Sequence, residues 1–386
     1  MRSHSPPELL ARPQAPSLAT TPFSRPTWAE IDLSALRHNV RLLAQLAAPA
    51  RLLAVVKANA YGHGASIAAP ALDAMPEVSM LGVASVDEGF ALREMGVRKP
   101  ILLLSAMLPE EARSAVRADL TPTIWTRELG MALQQAAELE RGRADFHFKL
   151  DTGMGRLGAL EPDARNAIDA LRAFDRLDLR GVYTHLSCAD EDDDQLSALQ
   201  IDRFRAFLEE AQPSREVLRH AANSATLIRY PQGRFDLVRP GLALYGSNPW
   251  PAVTLDLKPV MTWKARVTSL KTVPPNTPVS YGATWHAPVT TRLAVVSCGY
   301  ADGFRRSLSE RAHVVINGEA CPVVGRVTMD QIIVDTGNTL VQLGDEVTLF
   351  GRELPVEEMA VWADTISYEI LCGVSSRVPR LPVSSG

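Results

Sequence analysis

Between residue 52 and about residue 245, short apolar segments alternate with longer amphipathic ones. Helical periodicity marks 110–118, Arg127–Leu139, 162–174 and Gln195–Ala211. The strand candidates, apolar and in part β-branched, are LLAVV, LGVAS, ILLLS, TPTIW, DFHFKL, GVYTHL, EVLRHA and DLVR. Eight strand–helix repeats over roughly 200 residues predict a (β/α)8 barrel of the TIM type, with a doubly wound parallel sheet as the alternative.

The pattern changes after about residue 256. MTWKARVTSL alternates apolar and polar residues, and Asn317-Gly318 separates two apolar runs as the turn of a hairpin does. QIIVDT and DEVTLFG continue the strand pattern, and helical periodicity returns only at Val356–Trp362. We therefore predict a barrel over residues 27–255 and a mostly antiparallel β-domain over 256–386.

The segment TWAEIDLSALRHNVRLLAQL predicts a strand followed by a helix. Asp32 or Ser34 is the expected N-cap of that helix. The strand, residues 27–32, belongs either to the barrel or to the β-domain, and its pattern does not decide between them. Residues 1–26 are rich in proline and serine, lack the apolar core of a signal peptide, and are expected to form a flexible tail.

Composition limits the partners of the chain. Its 386 residues carry 40 Lys and Arg against 44 Asp and Glu, a net charge of 40 − 44 = −4 without a basic stripe, which argues against nucleic-acid binding. No apolar run approaches the roughly 20 residues of a membrane span. Cys188, Cys298, Cys321 and Cys372 lack zinc-type spacing. We expect free thiols in a reducing cytoplasm and no metal site.

Polar residues follow the predicted barrel strands where those strands end. Barrel active sites lie at this end, so these side chains are expected to meet at one mouth. In strand order they are Lys57, Arg156, His185, Asn223, Ser224 and Arg239.

This set of residues suits an anionic small molecule. Gly241 offers a backbone N–H and Ser224 a hydroxyl, the groups that bind a phosphate. A lysine beside a phosphate site suggests a Schiff base with pyridoxal phosphate, although a simple phosphate-binding lysine fits the same spacing. GMGRLG, residues 153–158, matches the dinucleotide pattern GxGxxG but follows the fifth strand, without the leading βαβ unit that the pattern requires.

Seven motifs together resemble the alanine racemase family of fold-type III pyridoxal-phosphate enzymes. The resemblance covers residues 26–382, and the motifs occur in the family's order and spacing. They are AVVKANAYGHG, KLDTGMGRLG, HAANSA, VSYGATW, GYADG, GRVTMDQ and SYEILCGVSSRVPR.

The resemblance implies a role for each matching residue around the cofactor. Lys57 would hold pyridoxal phosphate as an internal aldimine. Arg239 would face the pyridine nitrogen, His185 would lie against the ring, and Asn223 would lie beside the phosphate ligands. The phosphate ligands would be Tyr61, Ser224, Gly241, Leu242 and Tyr368.

The resemblance also implies a homodimer with shared sites. Tyr281 of the partner would be the second catalytic base, and Arg156 with the backbone of the partner's Met329 would bind the substrate carboxylate. Lys149 corresponds to a lysine that is carbamylated in many members. A corridor leading to the site would be lined by Asp190, Tyr300, Arg306, Arg326 and Ile366.

The implied activity is interconversion of L- and D-alanine on an external aldimine, supplying D-alanine for peptidoglycan or for catabolism. Two bases are needed because the Cα proton leaves one face and returns to the other. A broad-spectrum racemase of the same fold is the alternative. An amino-acid decarboxylase of the same fold type fits less well, because such enzymes lack an arginine at the pyridine nitrogen. A non-enzymatic pyridoxal-phosphate carrier would have no use for Tyr281.

Overall fold

The chain enters the fold through a strand of its C-terminal sheet. The computed structural model describes residues 25–192 and 195–384. Strand β1 (Thr27–Asp32) pairs antiparallel with Met261–Val273 and parallel with Arg380–Val383. The first strand therefore lies in the antiparallel sheet rather than in the barrel. The predicted tail, residues 1–26, lies outside the described residues except for Arg25 and Pro26.

Helix α1 (Leu33–Ala47) carries the chain from that sheet to the barrel. Its N-cap is Asp32, whose Oδ1 accepts hydrogen bonds from the backbone N–H groups of Ser34 and Ala35 at 2.8 and 3.0 Å. These bonds satisfy two of the N–H groups that a helix start leaves unpaired.

Eight parallel strand positions close the predicted barrel. Strand β11 pairs with β2, so the ring returns to its first strand. Pro122 divides the fourth position into two short strands, because proline has no N–H for the ladder. The strands are β2 (Arg51–Val55), β3 (Val78–Val83), β4 (Ile101–Leu103), β5 (Leu120–Thr121) with β6 (Thr123–Ile124), β7 (Ala144–Asp151) with the short β8 (Ala159–Leu160) beside it, β9 (Leu177–Tyr183), β10 (Leu218–His220) and β11 (Leu237–Val238).

Helices cover the outside of the barrel. They are α2 (Ala65–Asp73), α3 (Val86–Glu94), α4 (Ala112–Arg117), α5 (Arg127–Leu139), α6 (Glu161–Arg172), α7 (Gln195–Ala211) and α8 (Ser224–Arg229). The predicted bounds of α5 and α7 are confirmed. The predicted helix 110–118 is instead a 3-10 turn, Pro109–Glu111, followed by α4.

The C-terminal part is the predicted, mostly antiparallel β-domain. The long strand β12 (Met261–Val273) pairs with β1, with β15 (Thr291–Val296) and with β19 (Glu346–Phe350). Asn317-Gly318 forms the predicted hairpin turn with both φ angles positive, at 53° and 82°. Two helices follow, α9 (Val356–Trp362) and α10 (Ser367–Gly373). The strands are β12 (Met261–Val273), β13 (Pro278–Val279), β14 (Trp285–His286), β15 (Thr291–Val296), β16 (His313–Ile316), β17 (Glu319–Pro322), β18 (Ile332–Asp335), β19 (Glu346–Phe350) and β20 (Arg380–Val383).

The described residues contain neither a membrane-spanning helix nor a cluster of metal ligands. No helix among them combines the length and the apolar character that crossing a bilayer requires. Within the same residues, no group of three or more His, Cys, Asp or Glu side chains is placed to hold a metal ion.

Candidate active site

A cavity of about 630 Å³ opens at the carboxyl ends of the barrel strands. We call it the mouth cavity. The fold thus brings together residues that lie as far apart in the chain as Lys57 and Tyr368. Of the residues predicted to form the site, those lining the cavity are Lys57, Tyr61, Lys149, Arg156, His185, Asp190, Asn223, Ser224, Arg239, Gly241, Leu242, Ile366 and Tyr368.

A left-handed turn follows Lys57 at the end of β2. The four residues from Ala58 to Tyr61 all have φ between 52° and 55°, a conformation that costs an L-residue roughly 1–2 kcal/mol. Glu88 stabilises the turn, because its two oxygens accept the N–H groups of Ala58 and Ala84, each at 2.7 Å. Strain of this kind is characteristic of functional sites. The turn carries both Lys57 and Tyr61 into the mouth cavity.

Lys57 lies half-buried among cations. Its burial lowers the pKa of the amine, and the nearby Arg156 lowers it further, while Glu88 acts in the opposite direction. A lowered pKa increases the fraction of neutral amine at neutral pH. Lys57 is therefore placed to act as a nucleophile and as a base.

One end of the mouth cavity has the groups that hold a phosphate. The Oγ atom of Ser224 accepts the N–H groups of Gly241 and Ala243 at 2.9 and 3.3 Å, so its own hydrogen remains free to donate. The ring of Tyr61 lies 5.9 Å from that of Tyr368. A Cβ atom at position 241 would lie 2.3 Å from the Tyr61 hydroxyl oxygen. Glycine is therefore required where Tyr61 meets this backbone.

Arg239 lies deeper in the cavity and is 4% exposed. Its guanidinium contacts Nδ1 of His220 at 2.9 Å, the carbonyls of Thr184 and Ala221 at 2.9 and 3.0 Å, and Nδ1 of His185 at 3.2 Å. Burial lowers the pKa of Arg239 to about 10, so it remains a cation at neutral pH. Burial, and then Arg239, hold the pKa of His185 well below its usual value, so His185 is neutral.

A second histidine extends the chain of hydrogen bonds into the barrel. His220 Nε2 lies 2.9 Å from His147 Nδ1. Arginine can only donate, so Nδ1 of His220 must accept from Arg239, and Nε2 of His220 then donates to His147. Burial lowers the pKa of both imidazoles, that of His147 to about 3, so both are neutral. The guanidinium of Arg239 is thus in contact with two neutral imidazoles, those of His185 and His220.

Lys149 is 4% exposed and lies against the aromatic ring of Tyr183. Its Nζ is 5.2 Å from the ring centroid, and the Tyr183 hydroxyl is hydrogen-bonded to Oγ1 of Thr123 at 2.9 Å. Burial, followed by Arg239 and Arg156, lowers the pKa of Lys149 to about 7. A substantial fraction of this amine is therefore neutral at neutral pH.

The remaining predicted residues lie on the β-domain and not on the cavity walls of their own chain. Tyr281 is 72% exposed, Met329 53% and Tyr300 43%. Near Tyr281, Oγ of Ser280 donates to the Arg326 carbonyl at 2.6 Å. The predicted site residues that do not line the mouth cavity of their own chain are Tyr281, Tyr300, Arg306, Arg326 and Met329.

Reasoning from the sequence missed two cavity residues, Tyr183 and Cys372, and the two histidines of the hydrogen-bond chain behind Arg239, His147 and His220. Tyr183 lies two positions before His185, and His147 two positions before Lys149, so each pair points to the same face of its strand. That alternation was the available signal. His220, at the end of β10, offered the same strand-end signal as His185. Cys372 lines the cavity from α10, and no strand-end rule applies to a helix.

A closed parallel barrel, a basic cavity with a strand-end lysine and an appended antiparallel domain are features that barrel-type amino-acid racemases share with decarboxylases of the same fold type. Two family models match the chain: "Alanine racemase, N-terminal domain" over residues 31–249 and "Alanine racemase, C-terminal domain" over residues 260–382. The chain belongs to the alanine racemase family, whose members are isomerases.

Individual relatives agree with this assignment. An alanine racemase of Symbiobacterium thermophilum is 44% identical over 366 residues, 92% of this chain and 97% of that protein. One from Desulforamulus reducens is 44% identical over 370 residues, with coverages of 93% and 99%. The solved alanine racemase of Clostridium difficile 630 superposes with a TM-score of 0.89 at 34% identity, over 94% of this chain and 97% of that one.

Proposed function

We propose that the protein interconverts L- and D-alanine with pyridoxal phosphate bound at Lys57, in a homodimer whose sites combine residues of both subunits. The observation that carries the proposal is the placement of Lys57. It lies at the end of β2 with a lowered pKa and lines the same cavity as Ser224 and the buried Arg239. Family membership supplies alanine as the substrate, and pyridoxal-phosphate dependence is characteristic of the family.

The residues of the mouth cavity fit this cofactor. Its phosphate needs hydrogen-bond donors, which the hydroxyls of Ser224 and Tyr61 and the backbone N–H of Leu242 would offer at one end. Its pyridine nitrogen needs one partner, and the Nε–H of Arg239 takes no part in the four contacts of that guanidinium. Its aldehyde needs an amine, which Lys57 provides in the same cavity. When bound, pyridoxal phosphate withdraws electrons from the substrate and so acidifies its Cα proton.

Arg239 would favour racemisation over competing reactions because it would keep the pyridine nitrogen unprotonated. Arginine does not give up its proton, so Arg239 would donate a hydrogen bond to the pyridine nitrogen and leave that atom unprotonated. The electron withdrawal is then weaker than with a carboxylate at this position. We infer that weak withdrawal favours prompt return of the proton to Cα over competing reactions.

Two side chains move the proton. Lys57 would give or take the proton at its Nζ on one face of the substrate Cα. Tyr281 of the partner subunit does the same at its hydroxyl oxygen on the other face. Arg239 is a cation in contact with His185, and its positive charge would stabilise the deprotonated hydroxyl of the partner's Tyr281. Tyr281 is 72% exposed in the single chain, which leaves it free to contact a second subunit.

Arg156 lines the same cavity and would bind the substrate carboxylate together with the backbone of the partner's Met329. The residues proposed for the access corridor are Asp190, Tyr300, Arg306, Arg326 and Ile366. We place the enzyme in the cytoplasm, where it would supply D-alanine for peptidoglycan or for catabolism. The supporting observation for that location is that its four cysteines are free thiols, which suits a reducing compartment.

A racemisation assay over several amino acids tests the proposed function. We expect the purified protein, loaded with pyridoxal phosphate, to racemise alanine faster than serine and much faster than arginine or lysine. The rates are measured by chiral chromatography. Protein freed of cofactor is the control and should be inactive until it is reloaded. Equal rates for alanine and lysine would instead identify a broad-spectrum racemase, and no racemisation of any of the four would overturn the proposal.

Carbamylation of Lys149 is a second expected outcome. Its pKa of about 7 provides the neutral amine that attacks carbon dioxide, and the product reverses the charge next to Arg156. In ¹³C-bicarbonate, we expect a carbamate carbon signal by NMR that disappears in Lys149→Arg. Lys99→Arg is the matched control, because the amine of Lys99 donates to the Met75 carbonyl at 2.6 Å, away from the cavity. An unchanged spectrum in Lys149→Arg would exclude a carbamate there.

A further inference from the structure

A cluster of four charged residues links the beginning of the described chain to the surface around Met329. We call it the Arg25 cluster, formed by Arg25, Asp302, Asp330 and Arg377. Arg25 Nη2 lies 2.5 Å from Asp302 Oδ2, and Arg25 Nη1 lies 3.2 Å from Asp330 Oδ1. Arg377 Nη2 lies 2.7 Å from the same Asp330 oxygen. Arg25 therefore joins two carboxylates that belong to different loops.

Asp302 makes Arg25 more than a surface ion-pair partner. Its side chain is fully buried, and its Oδ2 also accepts the N–H of Gly299 at 2.9 Å. Its Oδ1 is buried without a hydrogen bond from any described residue, and Arg377 Nε is 3.8 Å away. A buried carboxylate requires a paired positive charge. Arg25 supplies most of that charge at the shortest distance.

The loop that contains Asp302 is packed directly on the backbone of Met329. The N–H groups of Tyr300 and Ala301 donate to the carbonyls of Thr328 and Met329 at 2.9 and 3.0 Å. A Cβ atom at Gly299 would lie 2.4 Å from the Met329 carbonyl oxygen, so the two backbones are in closest contact there. A shift of the loop would displace Met329.

Arg25 also holds the other side of Met329. Its Nη2 donates to the Asp330 carbonyl at 3.3 Å, in addition to the ion pair with the Asp330 side chain. The 299–303 loop thus binds the carbonyls of Thr328 and Met329, and Arg25 binds Asp330, the next residue in the chain. Arg25 contacts both sides, because it also pairs with Asp302 in that loop.

We propose that Arg25 is a positioning residue for substrate binding. Through Asp302 and Asp330 it fixes the backbone of Met329, which then binds the substrate carboxylate in the partner subunit. The inference rests on the proposed function, because it assumes that Met329 faces the partner's cavity. Arg25 itself contacts neither substrate nor cofactor.

The test compares Arg25→Met and Arg25→Lys in the full-length, cofactor-loaded enzyme. We expect Arg25→Met to raise the KM for alanine about tenfold, the size of effect expected when a hydrogen bond to a charged group is lost. The kcat should change little, because Lys57 and Tyr281 remain in place. Calorimetric titration with propionate, which has the substrate's carboxylate but no amine, should show a similar loss of affinity. Arg25→Lys keeps the charge beside Asp302 and should lose less.

Arg266→Met is the matched control. Arg266 has nearly the same side-chain exposure as Arg25, 23% against 26%. Its side chain contacts Glu346 on β19, the Gly344 carbonyl in the turn before that strand and the ring of Trp28, rather than the 299–303 loop. It should leave the KM and propionate binding unchanged. The inference is wrong if Arg25→Met binds propionate as tightly as Arg266→Met does.

Two further results separate the inference from other causes. If the unmodified protein does not racemise alanine, the proposed function itself has failed. If Arg25→Met does not fold because Asp302 is left unpaired, the double variant Arg25→Met with Asp302→Asn removes the buried charge as well. The double variant should fold and still bind propionate about tenfold more weakly, and wild-type affinity in it would overturn the inference.

Discussion

Lys57→Ala should lose racemase activity by at least about a thousandfold and should no longer bind pyridoxal phosphate covalently, because Lys57 is both the proposed attachment point and one of the two bases. The measurement is the visible absorbance that stays with the protein after incubation with the cofactor and gel filtration, together with the racemisation rate. The groups around Ser224 that would bind the phosphate remain in this variant, so weak, dissociable binding of the cofactor should persist.

Lys99→Ala is the control for this experiment. Lys99 precedes β4 and so lies at the opposite end of the barrel from the mouth cavity. It should keep both the absorbance and the activity. Retention of the absorbance by Lys57→Ala would mean that another amine, with Lys149 the nearest candidate in the cavity, carries the cofactor.

Much of the fold could be predicted because its elements are encoded locally. Apolar runs such as Leu52 to Val56 are buried on both faces, as parallel strands inside a barrel are, and amphipathic periodicity marked the bounds of α5, α7 and α9. The position of β1 could not be predicted. Its partners, β12 and β20, lie more than two hundred residues further along the chain, and its own pattern fits either sheet.

Strand ends located the cavity, because the carboxyl ends of all barrel strands meet at one mouth. Lys57, His185 and Arg239 were found in this way and line one cavity. The left-handed turn after Lys57 was not foreseen. The alanine at position 58 gives no sign of a positive φ angle, and its backbone N–H is bound by Glu88, which is remote in sequence. Non-local support of this kind leaves no local pattern.

The Arg25 cluster is a second case in which a contact between residues distant in sequence could not be predicted. Arg25 lies in a segment whose composition predicts only a flexible tail, yet it is paired with a fully buried carboxylate at Asp302. Nothing in the sequence around either residue indicates the contact. Only the packing of β1 in the C-terminal sheet brings them together, so the same long-range pairing that obscured the domain of β1 also obscured this contact.

Tyr281→Phe should lower the overall racemisation rate by roughly a hundred- to ten-thousandfold, the usual contribution of a general base, while cofactor binding is unchanged. L- and D-alanine have equal free energies, so the overall rates must fall equally in both directions. Deuterium wash-in from D₂O is more informative, because it reports each proton abstraction separately. One enantiomer should still exchange its Cα proton through Lys57, and the other should exchange far more slowly. Equal wash-in from both enantiomers would contradict the assignment of one base to each face.

Mixing Lys57→Ala with Tyr281→Phe tests whether the sites are shared. If Tyr281 acts in the partner's cavity, each mixed dimer has one site with both bases intact and one site with neither. Random reassociation makes about half of the dimers mixed, so about a quarter of wild-type activity should return from two nearly inactive proteins. If each chain used its own Tyr281, every site in every dimer would lack one base and mixing would restore nothing. Activity that falls on dilution and returns on concentration would support the same conclusion, because a separated subunit would keep Lys57 in its cavity and lose the opposing base.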